Sequence, residues 1–250
     1  MSRFVCLLAA FAAFLVLSVN AAGNKHTSSF RLLDDDERSA ADAKTKTKAK
    51  AKIMESEWPS LRLNFKIKDK SMRVYGQSNF SIIANPVLDV QAEDVLYDTS
   101  ATFMEGTTRH KYVLVDGTAY LTSTALDDES ASPAVKCLDW NDMDVLSLVN
   151  SLVGILSEAE PAKRSTERGA ECATGKMFKA ILAGTELAVC SDSEGFTMHG
   201  STMDVKVEYL EERANIKIPF LDENEERGCE KLISATFVTP TGKTILTRDN

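Results

Sequence analysis

Segments in which apolar and polar residues alternate strictly recur along most of this chain, and they restrict it to folds built on sheets with one dry face. In Leu61-Arg62-Leu63-Asn64-Phe65-Lys66-Ile67-Lys68 every odd position is apolar and every even one polar. That is the period of a half-buried strand. Met203 to Tyr209 alternates in the same way, and so does Asn215 to Ile218. Lys111–Val115 and Thr118–Leu121 flank Asp116-Gly117, a two-residue hairpin signal. Shorter runs read as strands at Phe80–Ala84, Val95–Tyr97, Ala101–Met104, Leu187–Cys190, Phe196–His199 and Ala235–Val238. Pro240-Thr241-Gly242 reads as a turn into a last strand, Thr244–Thr247. Strands at this spacing, with turn residues between them, predict a largely antiparallel meander.

One segment breaks the rhythm. From Asn141 to Glu158 the apolar residues, Val145, Leu148, Val149, Leu152 and Leu156 among them, cover a wide helical face, with Asp139 or Asn141 available as N-cap. A helix this apolar needs a surface to lie on, and the open face of a curved sheet supplies one. The stripe then serves either as plain core or as the lining of an apolar cavity. Glu160–Glu171 is charged and reads as a loop. The expected fold class is β-rich α+β, an antiparallel curved sheet covered by one or two helices.

The chain ahead of this domain is of another kind. Residues 1–21 have a positive Arg3, an apolar run from Phe4 to Val19 and small residues at Val19 and Ala21. That is the layout of a cleavable signal peptide. Residues 22–55 have almost no β-branched or aromatic side chains and include the run AADAKTKTKAKAKI, too little apolar area to offset ordering. Its lysines serve as a solvated linker or as an electrostatic foothold. The folded domain is expected over 56–250.

Cysteine and charge bound the function classes. Cys6 falls in the signal, and Cys137, Cys172, Cys190 and Cys229 remain, an even number on an oxidising route. Three pairings are open, of which Cys172–Cys190 and Cys137–Cys229 are preferred, and no pair has zinc-ligand spacing. The formal charge is −8, and loss of Arg3 takes it to −8 − 1 = −9. An acidic domain repels phosphate backbones, so no nucleic-acid partner is expected. No later run is long enough to span a membrane, so no transmembrane segment is expected in the mature chain. Asn79-Phe80-Ser81 is a glycosylation acceptor triplet.

Within the leader, Arg31-Leu32-Leu33-Asp34 is followed at once by Asp35-Asp36-Glu37-Arg38. This resembles the RxLR–dEER leader of secreted oomycete effectors. Arg31, Leu33, Asp36, Glu37 and Arg38 match, while Asp34 stands where the second Arg belongs. The resemblance implies processing and delivery into a host. The domain itself resembles the half-barrel of bacterial lipoprotein carriers and mycobacterial lipid-carrying lipoproteins, on the Tyr112–Tyr120 hairpin, the Asp142–Leu156 helix and the strands that follow. That resemblance implies a concave face that takes acyl chains.

No nucleophile elbow, zinc-protease helix, P-loop or dinucleotide fingerprint occurs. His26 lies in the leader, and His110 and His199 fall in strand-like runs. The acidic stretches Asp127–Glu129 and Asp222–Glu226 lack the spacing of a calcium loop. The sequence therefore predicts a secreted, non-enzymatic, effector-like protein without cofactor or metal, which binds a host protein or sequesters an apolar ligand. A lipid carrier without a virulence role is the alternative, and a hydrolase with an unrecognised site the third.

Overall fold

A computed structural model describes residues 57–89, 94–142, 147–163, 172, 175–182, 184–221 and 229–247. All of them belong to one compact unit, Met54–Asn250. The expected signal peptide, the leader with Arg31, Leu33, Asp36, Glu37 and Arg38, and the helix residue Val145 lie outside the described residues.

Six strands come first: β1 (Ser60–Ile67), β2 (Asn79–Asp89), β3 (Asp94–Glu105), β4 (Thr108–Val115), β5 (Thr118–Ala125) and β6 (Ala134–Cys137). Helix α1 (Ser147–Ser157) follows. Then come β7 (Glu160–Pro161), β8 (Lys176–Leu182), β9 (Thr185–Asp192), β10 (Gly195–His199) and β11 (Met203–Leu210). A tail ends in β12 (Thr236–Phe237) and helix α2 (Pro240–Leu246). The sheet order is β6-β5-β4-β3-β2-β1-β11-β10-β9-β8-β7, with β12 added against β3. Two antiparallel meanders are thus sewn together by β1 and β11, from Ser60 opposite Leu210 to Ile67 opposite Met203. The sheet is curved and open, as the alternation predicted.

Alternation sets which face is dry. Leu61, Leu63, Phe65 and Ile67 of β1, and Met203, Val205, Val207 and Tyr209 of β11, all point to the buried, concave side. The intervening residues Arg62, Lys66 and Lys206 are exposed on the convex side. The β4–β5 turn shows the local logic most clearly. Asp116 has φ +48° and Gly117 φ +80°, the primed turn that matches strand twist. A Cβ on Gly117 would sit 2.0 Å from the Ile233 carbonyl oxygen, so glycine also admits the tail against this turn.

Helix α1 joins the two edges of the sheet, leaving after β6 and returning at β7, and so it crosses the concave face. Val149, Leu152, Val153 and Leu156 are buried there, each worth about 1.5–3 kcal/mol of apolar transfer. Trp140–Asp142 form a 3-10 turn and α1 ends at Ser157, so the α-helix does not extend over the whole of the expected 141–158.

Two expectations are corrected. The segment Thr244–Thr247 is not a strand, because Pro240 opens a helix instead. Thr239 caps it by accepting the Gly242 N–H at 3.2 Å, and proline at the first position comes with a suitable φ. Nor is Asn215–Ile218 a strand, despite its alternation. The Asn85 side chain takes both backbone groups of Ala214, accepting from its N–H at 3.0 Å and donating to its carbonyl at 2.8 Å. The next strand residue, Pro86, has no N–H with which to continue a ladder.

Helices α1 and α2 meet at Gly242, where an added Cβ would lie 2.6 Å from Ser157 Oγ and 3.0 Å from Ser157 Cα. Gly242→Ala is therefore expected to cost about 1–3 kcal/mol through overpacking. Urea unfolding measures it, and an unchanged midpoint would rule out this close approach of the helices.

Candidate functional site

The concave face is the natural place to look for a site, and the domain's own helices occupy it. Of the cavity candidates, Val149, Leu152 and Leu156 are 2, 5 and 0 % exposed and belong to one continuous apolar core. Leu148 is partly buried against it. From α2, Ile245 and Leu246 join the same core. The Tyr209 hydroxyl of β11 donates to the Ile245 carbonyl, tying the last turn of α2 to the sheet.

The polar contacts of α1 are equally specific. Asn150 is buried and pairs with the backbone of Tyr97, accepting from its N–H at 2.8 Å and donating to its carbonyl at 3.1 Å. A helix side chain thereby completes the edge of β3 where β4 has already turned away. Next to this contact the side-chain hydroxyls of Tyr97 and Thr99 are fully buried and have no hydrogen-bond partner among the described residues. Burial pushes the Tyr97 phenol far above its ordinary range, with Tyr209 adding to the effect.

At one mouth of the concavity lies a cluster that sequence reasoning missed. Val74-Tyr75-Gly76-Gln77 forms a tight turn in which Tyr75 has φ +48° and Gly76 φ +74°. It lays the Tyr75 ring flat on His110, with centroids 4.7 Å apart and planes at 7°. The Tyr75 and Tyr112 hydroxyls share a hydrogen bond. His110 Nδ1 is 3.0 Å from Ser123 Oγ, and Nε2 is 3.3 Å from a Glu105 carboxylate oxygen. The group covers this end of the concave face with aromatic area rather than opening it. The available sequence signal was Tyr-Gly in a short polar stretch between two strands, which marks a turn but not what the turn covers.

The opposite end is closed by the tail. Arg213 donates to the Pro86 carbonyl at 3.0 Å, and Lys231 pairs with Asp116 at 2.8 Å. The N–H groups of Leu232 and Ile233 both bond to the Gly117 carbonyl. Asp98 lies among these groups and accepts the Asp116 N–H at 2.9 Å. Burial raises its pKa, only partly offset by that hydrogen bond and by Arg213 and Lys231. A carboxyl with a raised folded-state pKa costs nothing below its unfolded pKa of about 3.9 and weighs against folding once pH has risen through the folded value. Asp98→Asn keeps an acceptor for Asp116, so it is expected to stabilise the domain at neutral pH, with the gain vanishing in acid. Denaturation midpoints across pH test this, and a gain that persists in acid would refute it.

Both disulfides form in the preferred pairing. Cys137 joins Cys229 and Cys172 joins Cys190, each with Cα atoms 5.5 Å apart, inside the range a disulfide spans. The first staples the tail to the edge strand β6, and the second pins Cys172 over β9. Asn79, the acceptor asparagine, is exposed at the start of β2 on the convex face. There it borders a concavity of about 450 Å³ that runs across β1, β2, β10 and β11. His199 sits in it with Nδ1 3.2 Å from Asp204, which Lys68 also holds at 2.7 Å.

Among the described residues no helix is long and apolar enough to cross a membrane. Among the same residues no three His, Cys, Asp or Glu side chains gather as a metal site. No protein-family model, curated protein or solved structure matches the chain.

Proposed function

We propose that this chain is a secreted, non-enzymatic, effector-like protein that acts by binding a host protein through its outer surface. The observation that carries this reading is the filled concave face. Val149, Leu152, Leu156, Ile245 and Leu246 occupy the space an apolar ligand would need, so recognition falls to the exterior. Exposed aromatic side chains are present there, Trp140 at 65 % and Phe220 at 91 %, the residue types that anchor protein interfaces. Two disulfides favour an extracellular place of action, since a reducing cytosol works against them. The Arg31–Arg38 leader supplies the host-directed part of the proposal.

A lipid carrier is the second reading, and one observation favours it. The Tyr97 and Thr99 hydroxyls, buried beside α1 without partners among the described residues, would suit the polar end of an acyl ligand that displaces a helix. Native mass spectrometry with lipid extraction, on the chain secreted from a eukaryotic host, separates the two. An empty domain is the expected result. A stoichiometric acyl ligand would overturn the surface-binding reading and make the carrier the leading one.

A further inference from the structure

The convex concavity lies where the two meanders meet. Asn64 and Asn79 line it from the first meander, and Thr197, His199 and Lys206 from the second. It is lined by polar side chains from four strands and also by Phe65, Phe80 and Val205, which are themselves buried. Asn79 begins β2 as an exposed residue, with its Nδ2 donating to Ser78 Oγ at 3.3 Å. Ser81, the third residue of the acceptor triplet, projects on the same face and donates to Asn64 Oδ1 at 2.7 Å. A chain attached to Asn79 Nδ2 therefore starts inside a groove rich in hydrogen-bonding groups.

We propose that Asn79 carries an N-linked glycan whose sugars nearest the asparagine lie in this groove, spanning the seam from β2 to β10 and β11. The donor is an oligosaccharide held on a polyprenyl diphosphate in the secretory route. The bond from its anomeric carbon to Asn79 Nδ2 forms, the bond to the diphosphate breaks, and the amide proton leaves to a base of the transferase. Seated in the groove, sugar hydroxyls replace water at Asn64, Thr197 and Lys206 and link the two meanders from outside. The convex seam is then covered, which leaves the ends and edges of the sheet for a partner. The proposal rests on the export reading, because the donor is met only on that route.

The test is the intact mass of the whole chain, secreted by a eukaryotic host, before and after enzymatic removal of N-glycans. One glycan is expected, lost in both Asn79→Gln and Ser81→Ala and kept in Ser81→Thr. Hydrogen exchange then compares the glycosylated and stripped proteins, with slower exchange expected at Thr197 and Lys206 when the glycan is present. A secreted, disulfide-bonded chain with unmodified Asn79 overturns the site. A glycan that leaves exchange at those amides unchanged overturns its place in the groove. A chain that stays in the cytoplasm with free thiols overturns the export reading together with the glycan, and the free thiols distinguish that failure from the first.

Discussion

Serine at both Cys137 and Cys229 is expected to cost the domain about 4–5 kcal/mol, the largest loss of any change that leaves the core side chains in place. The bond closes a loop with a sequence separation of 92. In the chain-entropy account, a loop that long restricts the unfolded ensemble by about 4.6 kcal/mol, against about 3 for the separation of 18 between Cys172 and Cys190. The native state has its own reason to need the bond. Strand β6 is a four-residue edge strand, and among the described residues of the tail, 229–235 form no strand or helix ahead of β12. Without the staple, the tail is held to the β4–β5 turn by the Lys231–Asp116 pair and the bonds to the Gly117 carbonyl, contacts of modest worth at an exposed site. Denaturant unfolding of the oxidised parent and the double variant gives the difference. A loss below about 1 kcal/mol would show that the clasp restrains neither state.

Asn150→Ala is expected to cost about 2–5 kcal/mol, although it removes only a small polar side chain. Asn150 satisfies both the N–H and the carbonyl of Tyr97 in a buried place, and each group left unpaired there costs about 1–3 kcal/mol. Neither group has a ladder partner in reserve on that side, because β4 ends its pairing with β3 at Leu114 opposite Thr99. Asn150→Asp distinguishes this account from simple packing. The carboxylate can still accept the Tyr97 N–H, but it faces the carbonyl with no proton to give, so the near-isosteric change is expected to be at least as damaging as alanine. Thermal and urea unfolding read both, with exposed Ser151→Ala as the control expected to change little. A mild Asn150→Asp would mean that shape, not hydrogen bonding, fixes α1 on β3.

The second prediction concerns a part of the molecule that the pattern of the chain conceals, whereas the Cys137–Cys229 pairing of the first was already the preferred one in the sequence. The strands of the two meanders announce themselves, since a side chain's face on a strand follows from parity alone. The Asp116-Gly117 hairpin is equally legible, because few dipeptides accept two positive φ angles in succession. The apolar stripe of α1 is visible as a stripe, yet periodicity says only that it must be buried, and core and cavity lining have the same pattern. Which of the two it is depends on what else enters the concavity. Ile245 and Leu246 enter it on a helix that the sequence pattern takes for a strand.

The exterior follows the same division. Asn79 is readable as an acceptor triplet, but its place in a groove shared with Thr197 and Lys206 arises only when β1 pairs with β11 across a large sequence separation. His110 is readable as a strand residue, while Tyr75, Ser123 and Glu105 reach it from three different parts of the chain.

The sequence by itself determined the β-rich class, the dry and wet faces of the strands, the main hairpin, the existence of α1 and an even set of cysteines for two disulfides. These are local matters, set by the two- or 3.6-residue period of the backbone and by the few residues that fit a given turn. The tertiary structure alone decided that the concavity is filled, that Asn150 completes a strand edge, that Asn85 holds Ala214 so that Asn215–Ile218 is not a strand, and that α2 docks on the sheet through Tyr209. Each of these is a contact between segments far apart in the chain, and its energy comes from partners that no window of neighbouring residues contains.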